Sequence, residues 1–273
     1  MTDPRSVLKR AGLAPKRSFG QNFLVSSHAV ESIANACAPD PSFNVVELGA
    51  GTGVLTRALA SRARRVVAVE RDRDLVPVLR EELGALGNVE IVEGDAQTTD
   101  PSGLVPEPRV LAGNLPYQIT GRLLELATVH ADALARAVFM VQLEVAQRLA
   151  ASPGTKDYGA LTIFVGAAFK VTKLFDVAPG SFYPPPDVTS AVVLLEPRRP
   201  RIAEETDTFR ALVKGAFGAR RKTLRNAWSK VADPARIAAA AEASGISLDA
   251  RGETLDVEAY ARMASRLGDL RTA

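Results

Sequence analysis

Four consecutive residues, Asn114-Leu115-Pro116-Tyr117, combine the groups needed to hold a planar amine. Asn114 offers a side-chain carbonyl and Leu115 a main-chain carbonyl, while Pro116 fixes the backbone and Tyr117 supplies a ring for stacking. Acceptors around the exocyclic amine of adenine would stabilise the positive charge that develops when its nitrogen attacks an electrophile. The alternative is an ordinary Asn-x-Pro turn followed by a core tyrosine.

Two acidic residues occur where buried strands are predicted to end. Glu70 lies about 20 positions after a glycine-rich turn, where a carboxylate accepts hydrogen bonds from ribose hydroxyls in doubly wound sheets. Asp95 follows the next predicted strand, where a carboxylate can accept from the exocyclic amine of adenine and so favour that base. The alternatives are a solvated strand end for Glu70 and a turn cap for Asp95.

The glycine-rich turn joins the first predicted strand of the sheet to a helix. In residues 45–56 an apolar run ends in Glu47, and three glycines follow at alternate positions from Gly49. Glycine permits positive φ and lets a ligand approach the backbone, so we interpret the turn as the floor of a cofactor site. The pattern resembles the first motif of S-adenosylmethionine-dependent methyltransferases. A dinucleotide site would need a small residue where Val54 stands, and a tight turn without a ligand is the third alternative.

These residues need a sheet to position them, and the hydrophobic pattern predicts one. The predicted strands are 45–48, 65–70, 89–92, 110–113, 136–143, 161–171 and 190–195. The predicted helices are 27–37, 54–63, 72–86, 144–151, 234–243 and 257–267. This alternation predicts an α/β domain with a mostly parallel sheet of about seven strands, over residues 1–197. A basic, proline-bounded linker follows, and residues 198–273 are predicted to form a small all-α domain.

A second aromatic wall is expected at the mouth of the predicted pocket. Taking a base out of its stack costs a few kcal/mol, and one stacked ring returns roughly 1–3 kcal/mol. The stiff segment Phe182-Tyr183-Pro184-Pro185-Pro186 can hold Phe182 or Tyr183 over the mouth. The alternative is that Phe182 packs beneath the last strand. Trp228 is expected to lie in a core.

A basic cluster within Gly218–Asn226 contains no acidic residue, and the linker adds three arginines. We predict contacts with RNA phosphates, which orient and tighten a complex without selecting a base sequence, although a solvated face is the alternative. The residues of this prediction are Arg220, Arg221, Lys222 and Arg225.

The segment before the first predicted helix is basic and contains several breakers. Residues 1–20 can form a solvated arm or touch phosphates, and neither interpretation is favoured. Gln21-Asn22-Phe23-Leu24 then places a polar pair beside two apolar residues, which suits a segment that packs over a site. By itself, Asn22 indicates a helix or turn cap more than a ligand contact.

The composition narrows the class of protein. The chain has 273 residues, is 47% hydrophobic and carries a net charge of +3, which is compatible with nucleic acid. The single cysteine, Cys37, excludes an internal disulfide, and His28 and His130 are too far apart to predict a metal site. No apolar run approaches the roughly 20 residues of a membrane span, and no signal peptide is evident. We therefore expect a cytoplasmic, monomeric enzyme.

Taken in order, several motifs resemble those of the KsgA/RsmA family of ribosomal RNA adenine N6-dimethyltransferases. No single motif is decisive, but the ordered set is highly specific. The similar segments are 19–24, Glu47 to Gly53, Glu70, Gly94-Asp95-Ala96, Asn114-Leu115-Pro116-Tyr117, Phe182 to Val188 and Phe217 to Leu224.

The resemblance implies a Rossmann-like class I methyltransferase domain followed by a helical domain that binds RNA or the ribosomal subunit. It implies transfer of methyl groups from S-adenosylmethionine to two adjacent adenines near the 3′ end of small-subunit rRNA, during maturation of the small ribosomal subunit. The predicted catalytic residues are Asn114, Leu115, Pro116, Tyr117 and Phe182. The implied cofactor contacts are Asn22, Leu24 (main chain), Gly49, Glu70, Asp95 and Asn114, and we predict Gly51 and Ala96 as further cofactor contacts. Two departures are Gln118, where Asn is common, and Leu143, which replaces a frequent Lys.

Three other hypotheses are carried forward. A large-subunit rRNA methylase of the macrolide-resistance type shares the first domain, but the proline-rich loop and the basic cluster favour the small-subunit enzyme. A ribosome-assembly checkpoint would bind immature small subunits and use methylation mainly for release. A dinucleotide oxidoreductase lacks a constellation for hydride transfer.

Overall fold

The computed structural model describes residues 3–219 and 221–270. Its helices are α1 (Pro4–Ala11), α2 (Ser27–Cys37), α3 (Val54–Ala60), α4 (Leu75–Leu83), α5 (Thr120–Val129), α6 (Leu143–Leu149), α7 (Ala160–Ala168), α8 (Asp207–Gly218), α9 (Leu224–Ala227), α10 (Pro234–Ser244) and α11 (Val257–Leu267). Its strands are β1 (Phe23–Leu24), β2 (Asn44–Leu48), β3 (Arg65–Glu70), β4 (Val89–Glu93), β5 (Arg109–Asn114), β6 (Arg136–Gln142), β7 (Phe169–Val177), β8 (Phe182–Tyr183) and β9 (Ser190–Pro197). None of the helices in these ranges has the length and apolar content that a bilayer span needs.

Seven strands form one sheet in the order β4-β3-β2-β5-β6-β9-β7. Strands β2 to β6 pair in parallel, and β9 runs antiparallel to β6. The apolar runs of β2 and β5 are buried along nearly their whole length, as expected for strands covered on both faces. The α/β fold with a mostly parallel seven-stranded sheet, predicted from the sequence, is confirmed.

The strand order places the predicted site. The chain passes from β2 to β3 on one side and later to β5 on the other, so the order reverses between β2 and β5. Ligands of doubly wound sheets bind at such a reversal, outside the carboxyl ends of the strands. The residues that follow β2 and those that end β3 and β5 therefore meet at one edge.

One predicted element is wrong. Residues 161–171 were predicted as a strand because of the run Leu161-Thr162-Ile163-Phe164-Val165, but most of them form helix α7, and β7 begins only at Phe169. The Thr162 hydroxyl accepts from the Gly159 main-chain N–H, which caps the helix, and Ile163 and Ala167 share one buried face. Packing of that face outweighs the strand preference of the β-branched residues.

The chain divides into two compact units, Met1–Ala146 with Thr172–Pro197, and Gln147–Val171 with Arg198–Ala273. The predicted boundary after residue 197 coincides with one of the division points. The second unit, however, also contains Gln147–Val171, which the sequence analysis assigned to the first domain. Its core surrounds Trp228, which is fully buried and donates from Nε1 to the main-chain oxygen of Leu212 over 2.9 Å.

Candidate active site

A cavity of roughly 210 Å³ opens at the carboxyl ends of β2, β3, β4 and β5. It brings together residues as much as 101 positions apart in the chain, from Ser18 to Ile119. The predicted site residues that line it are Asn22, Gly49, Gly51, Glu70, Asp95, Ala96, Asn114, Leu115, Pro116 and Tyr117.

The glycine turn leaves room for a ligand on its cavity side. Gly49 and Gly51 have φ values of +80° and +59°, a conformation that side-chain-bearing residues rarely adopt. A β-carbon on Gly49 would meet no atom within 4 Å, whereas one on Gly51 would come within 3.1 Å of the Phe23 ring. The turn is thus in close contact with Phe23 at Gly51 and open at Gly49, as a cofactor cradle requires.

Glu70 is a fixed acceptor at the edge of this cradle. Its Oε2 accepts from the Gly51 N–H over 2.7 Å, and its Oε1 accepts from the N–H groups of Arg71 and Asp72 over 2.9 and 2.8 Å. Burial raises the pKa of Glu70, and these three hydrogen bonds offset part of that shift. A carboxylate held in this way keeps lone pairs that suit the hydroxyl donors of a ribose.

Asp95 fulfils one of its two predicted roles directly. Its Oδ1 accepts from the Gln97 N–H over 2.9 Å, which caps the turn, and its Oδ2 lies 3.3 Å from the Arg71 guanidinium. The side chain also lines the cavity. The cap and a contact with a bound base are therefore compatible, and the cap fixes the carboxylate for such a contact.

Asn114 ends β5 with its side-chain amide oriented by the N-terminal segment. Its Nδ2 donates to the main-chain oxygen of Asn22 over 2.8 Å, which leaves Oδ1 as the end available to the cavity. The Leu115 N–H donates to the main-chain oxygen of Met140 over 3.0 Å and fixes the start of the turn. The orientation of the Asn114 amide is the one that the predicted acceptor role of its Oδ1 requires.

Tyr117 is held by a hydrogen bond to the antiparallel strand β9. Its hydroxyl hydrogen-bonds to Oγ of Ser190, a fully buried residue at the start of β9, over 2.8 Å. Burial raises the pKa of Tyr117, so the phenol stays neutral. The ring is thereby fixed at the cavity wall. Sequence analysis missed Ser190, because no local pattern links residues 73 positions apart.

Two of the predicted catalytic and cofactor-binding residues, Phe182 and Leu24, do not line the cavity. Phe182 is only 4% exposed and packs in the core cluster beside Leu24, since β8 pairs with β1 and directs that ring inward. The exposed ring of the proline-rich loop is Tyr183, at 38%. In this structure Phe182 therefore matches the alternative of a packed ring, and a wall at the mouth would have to come from Tyr183. Leu24 likewise contributes to β1 rather than to the lining.

The N-terminal segment is not a solvated arm. Helix α1 buries Val7 and Leu8, and Lys16 lies in an ion pair with Asp72. The lysine thus neutralises a carboxylate of its own chain instead of being free for phosphate. Sequence analysis missed Asp72, although its position two residues after Glu70 could have drawn attention to it.

The predicted basic surface is only partly described. Arg221, Lys222 and Arg225 are exposed, whereas Arg220 lies outside the described residues. Of the linker arginines, Arg198 donates to the main-chain oxygens of Gly166 and Phe169, and the side chain of Arg201 is only 10% exposed. These two belong to the internal packing of the second unit.

Comparison with known proteins gives a consistent result over most of the chain. The sequence model of the family described as ribosomal RNA adenine dimethylase matches residues 12–269. The ribosomal RNA small subunit methyltransferase A of Myxococcus xanthus is 44% identical over 283 residues, covering 100% of this chain and 98% of its own. A dimethyladenosine transferase from Plasmodium falciparum superposes with a TM-score of 0.74 at 26% identity, covering 88% of this chain and 95% of its own. The 23S rRNA methyltransferase ErmE superposes with a TM-score of 0.69 at 30% identity, covering 90% and 99%.

Proposed function

Because the chain belongs to the ribosomal RNA adenine dimethylase family, we propose that it dimethylates N6 of two adjacent adenines near the 3′ end of small-subunit rRNA. It is an rRNA adenine N6,N6-dimethyltransferase that depends on S-adenosylmethionine. The observation that supports the proposed site best is that Asn114, Leu115 and Tyr117 line the same cavity as Gly49 and Glu70.

The cofactor half of the cavity suits an adenosine group. Gly49 and Gly51 would accommodate it, Glu70 would accept from the ribose hydroxyls, and Asp95 would accept from the adenine amine. S-adenosylmethionine supplies an electrophilic methyl group on a positively charged sulfur. The carboxylates and main-chain groups of the cavity suit the hydroxyl and amine donors of the adenosine group. The open space at Gly49 supports the assignment of this half of the cavity to the cofactor.

The other half of the cavity would bind the target base. Tyr117 would stack on a base that has left its helix, which recovers part of the unstacking cost. Oδ1 of Asn114 and the main-chain oxygen of Leu115 would accept from the target amine and stabilise the positive charge that develops on it. This is electrostatic preorganisation, and no general base is needed before the nitrogen attacks.

The small-subunit assignment can be separated from the large-subunit alternative. Support for it comes from full-length relatives named for the small subunit and from the proline-rich loop at 182–186. Mass spectrometry of rRNA from cells lacking the protein should show two unmodified adenines in the small-subunit hairpin, and re-expression should restore dimethyladenosine there. Restored methylation in large-subunit rRNA, with the small-subunit hairpin unchanged, would reject the assignment.

We further propose that the chain acts as a monomer in the cytoplasm on small subunits that are still being assembled. Within residues 198–273, Arg221, Lys222 and Arg225 are exposed side chains of one sign, which suits contact with phosphates. Arg225 also lies 3.4 Å from Asp249, a surface pair that contributes little by itself.

Reversing the charge at Arg221 and Lys222 is expected to weaken RNA binding and flatten its salt dependence. Each lost phosphate contact should lower the slope of log affinity against log salt by about 0.7–0.9, so the double variant should lose roughly 1.5 or more. The measurement is a binding titration with the small-subunit hairpin at several salt concentrations. Lys214→Glu, an exposed lysine on α8, is the matched control, and an unchanged slope in the double variant would assign the cluster to a solvated face.

A further inference from the structure

The segment of residues 16–24, called the strap below, forms one wall of the cavity although it lies outside the large sheet. Phe19, Gly20, Gln21, Asn22 and Phe23 all contribute to the lining. Three sets of contacts fix it to separate parts of the first unit. Those contacts connect the cofactor half of the cavity to the half that contains Asn114.

The first contact is a clamp made by Lys16, Gln21 and Asp72. Nζ of Lys16 lies 2.5 Å from Oδ1 of Asp72, and Nε2 of Gln21 donates to Oδ2 over 2.7 Å. The Lys16 main-chain N–H donates to Oε1 of Gln21 over 2.8 Å, which closes the set. The Asp72 side chain is only 4% exposed and does not line the cavity. Besides its two contacts with the strap, its Oδ1 accepts from the Asp74 main-chain N–H over 3.1 Å.

The charge of the clamp is maintained by its own hydrogen bonds. Burial alone would raise the pKa of Asp72, but the bonds from Lys16 and Gln21, together with the Asp74 main-chain N–H and the charge of Lys16, outweigh that effect and hold the pKa below its usual value. A buried carboxylate that lost its lysine would be left unpaired, which is strongly unfavourable. The strap is therefore pulled towards Asp72 throughout the neutral pH range.

The second and third contacts lie at the other end of the strap. Phe23 and Leu24 pair with Tyr183 and Phe182 as the two-stranded sheet β1–β8. Between this sheet and the clamp, the main-chain oxygen of Asn22 accepts from Nδ2 of Asn114 over 2.8 Å. A carbonyl can accept only from the NH₂ end of an amide, so this bond decides which end of Asn114 faces the cavity.

We propose that Asp72 and Lys16 are positioning residues, whose clamp on the strap holds the Asn22 carbonyl where it orients the Asn114 carboxamide for the target amine. The inference rests on the proposed role of Asn114 as the acceptor. If the clamp is released, the Asn22 carbonyl moves and the amide of Asn114 can turn over. Its NH₂ group would then face the N–H groups of the target amine, where no hydrogen bond can form.

The clamp can be broken from either side. Asp72→Asn removes the buried negative charge. Lys16→Met removes the lysine that pairs with it, and because the Lys16 side chain is more exposed than that of Asp72, this substitution leaves the core unchanged. Both are expected to lower the single-turnover rate by on the order of 10- to 100-fold, the cost of a small misplacement of a catalytic group. Asp74→Asn is the matched control, because the Asp74 carboxylate also contacts Lys16 but is 57% exposed, and the substitution keeps the main-chain N–H that donates to Asp72. It should change the rate by less than about threefold.

A double-mutant cycle separates positioning from a general structural role. If Asp72 acts through Asn114, Asp72→Asn should cause little further loss of rate in an Asn114→Ala background. Additive losses in that background would overturn the proposal, as would unchanged rates in both single variants.

Hydrogen exchange tests the clamp independently of the reaction. The Val25 N–H donates to the Ser181 main-chain oxygen over 2.7 Å, so its exchange reports how firmly the strap is held. Lys16→Met should accelerate exchange at residues 22–25 by about tenfold or more in the protein without added ligand. Unaltered exchange would overturn the clamp. If the unmodified protein failed to methylate small-subunit rRNA, the proposed function would be rejected, but the hydrogen-exchange test of the clamp would still be valid.

Discussion

Replacing Asn114 with alanine is expected to slow methyl transfer by a factor on the order of 10²–10³, the typical cost of removing one preorganised hydrogen-bonding group from a charge-stabilising site. The side chain, at the end of β5, supplies one of the two acceptors proposed for the target amine. Single-turnover methylation of the small-subunit hairpin, with enzyme in excess, measures this effect without interference from product release. A near-normal rate would contradict the assignment of Asn114.

Binding measurements decide whether the loss lies in chemistry. Asn114 accounts for only a small part of the cavity wall, so Asn114→Ala should bind the small-subunit hairpin with affinity close to that of the parent chain. Asn35→Ala, an exposed asparagine on α2, serves as the matched control for rate and thermal stability. The same variant separates catalysis from subunit binding, since methylation should stop while the small subunit is still bound.

The sheet and its site edge were predictable from the sequence because they depend on local patterns. Strand β3 was predicted with both of its ends, since an apolar run bounded by Arg65 and Glu70 has no competing helical period. The position of Glu70 relative to the glycine turn then followed from the geometry of parallel strands. The fold determines where residues at strand ends lie, so a correctly predicted strand also gives the position of the site residues at its end.

The parts that were missed depend on contacts between distant residues. The clamp joins Lys16 to Asp72 across 56 positions, and the bond between Tyr117 and Ser190 spans 73. Neither leaves a periodic signal. Phe182 illustrates the same limit, because a stiff loop predicts exposure, whereas pairing of β8 with β1 turns that ring into the core.

Glu47 is a buried acid whose charge the protein cannot easily accommodate. It is 2% exposed within β2, and neither its Oε2 nor Oγ1 of the neighbouring Thr56 has a hydrogen-bond partner of good geometry. Burial raises the pKa of Glu47 to about 8, with the Thr56 hydroxyl offsetting part of the shift and the Glu70 carboxylate adding to it. At neutral pH Glu47 is therefore protonated in the folded protein, while in the unfolded chain it is ionised.

This difference fixes the sign of a pH dependence. The folded-state pKa lies above the unfolded value of 4.5, so the contribution of Glu47 to stability is fully present below about pH 4.5 and is lost as the pH rises towards 8. Each pH unit in that window costs about 1.4 kcal/mol, so the total loss is on the order of several kcal/mol.

Glu47→Gln should remove this loss, because the neutral amide has nearly the shape of the protonated acid and does not titrate. The free energy of unfolding of the variant should exceed that of the parent chain by several kcal/mol at pH 8, and the two should converge below about pH 4.5. Urea unfolding at half-unit pH steps measures both curves, with Glu81→Gln as an exposed control that should run parallel to the parent. If the Glu47→Gln curve also ran parallel to the parent, Glu47 would have to be charged in the folded protein.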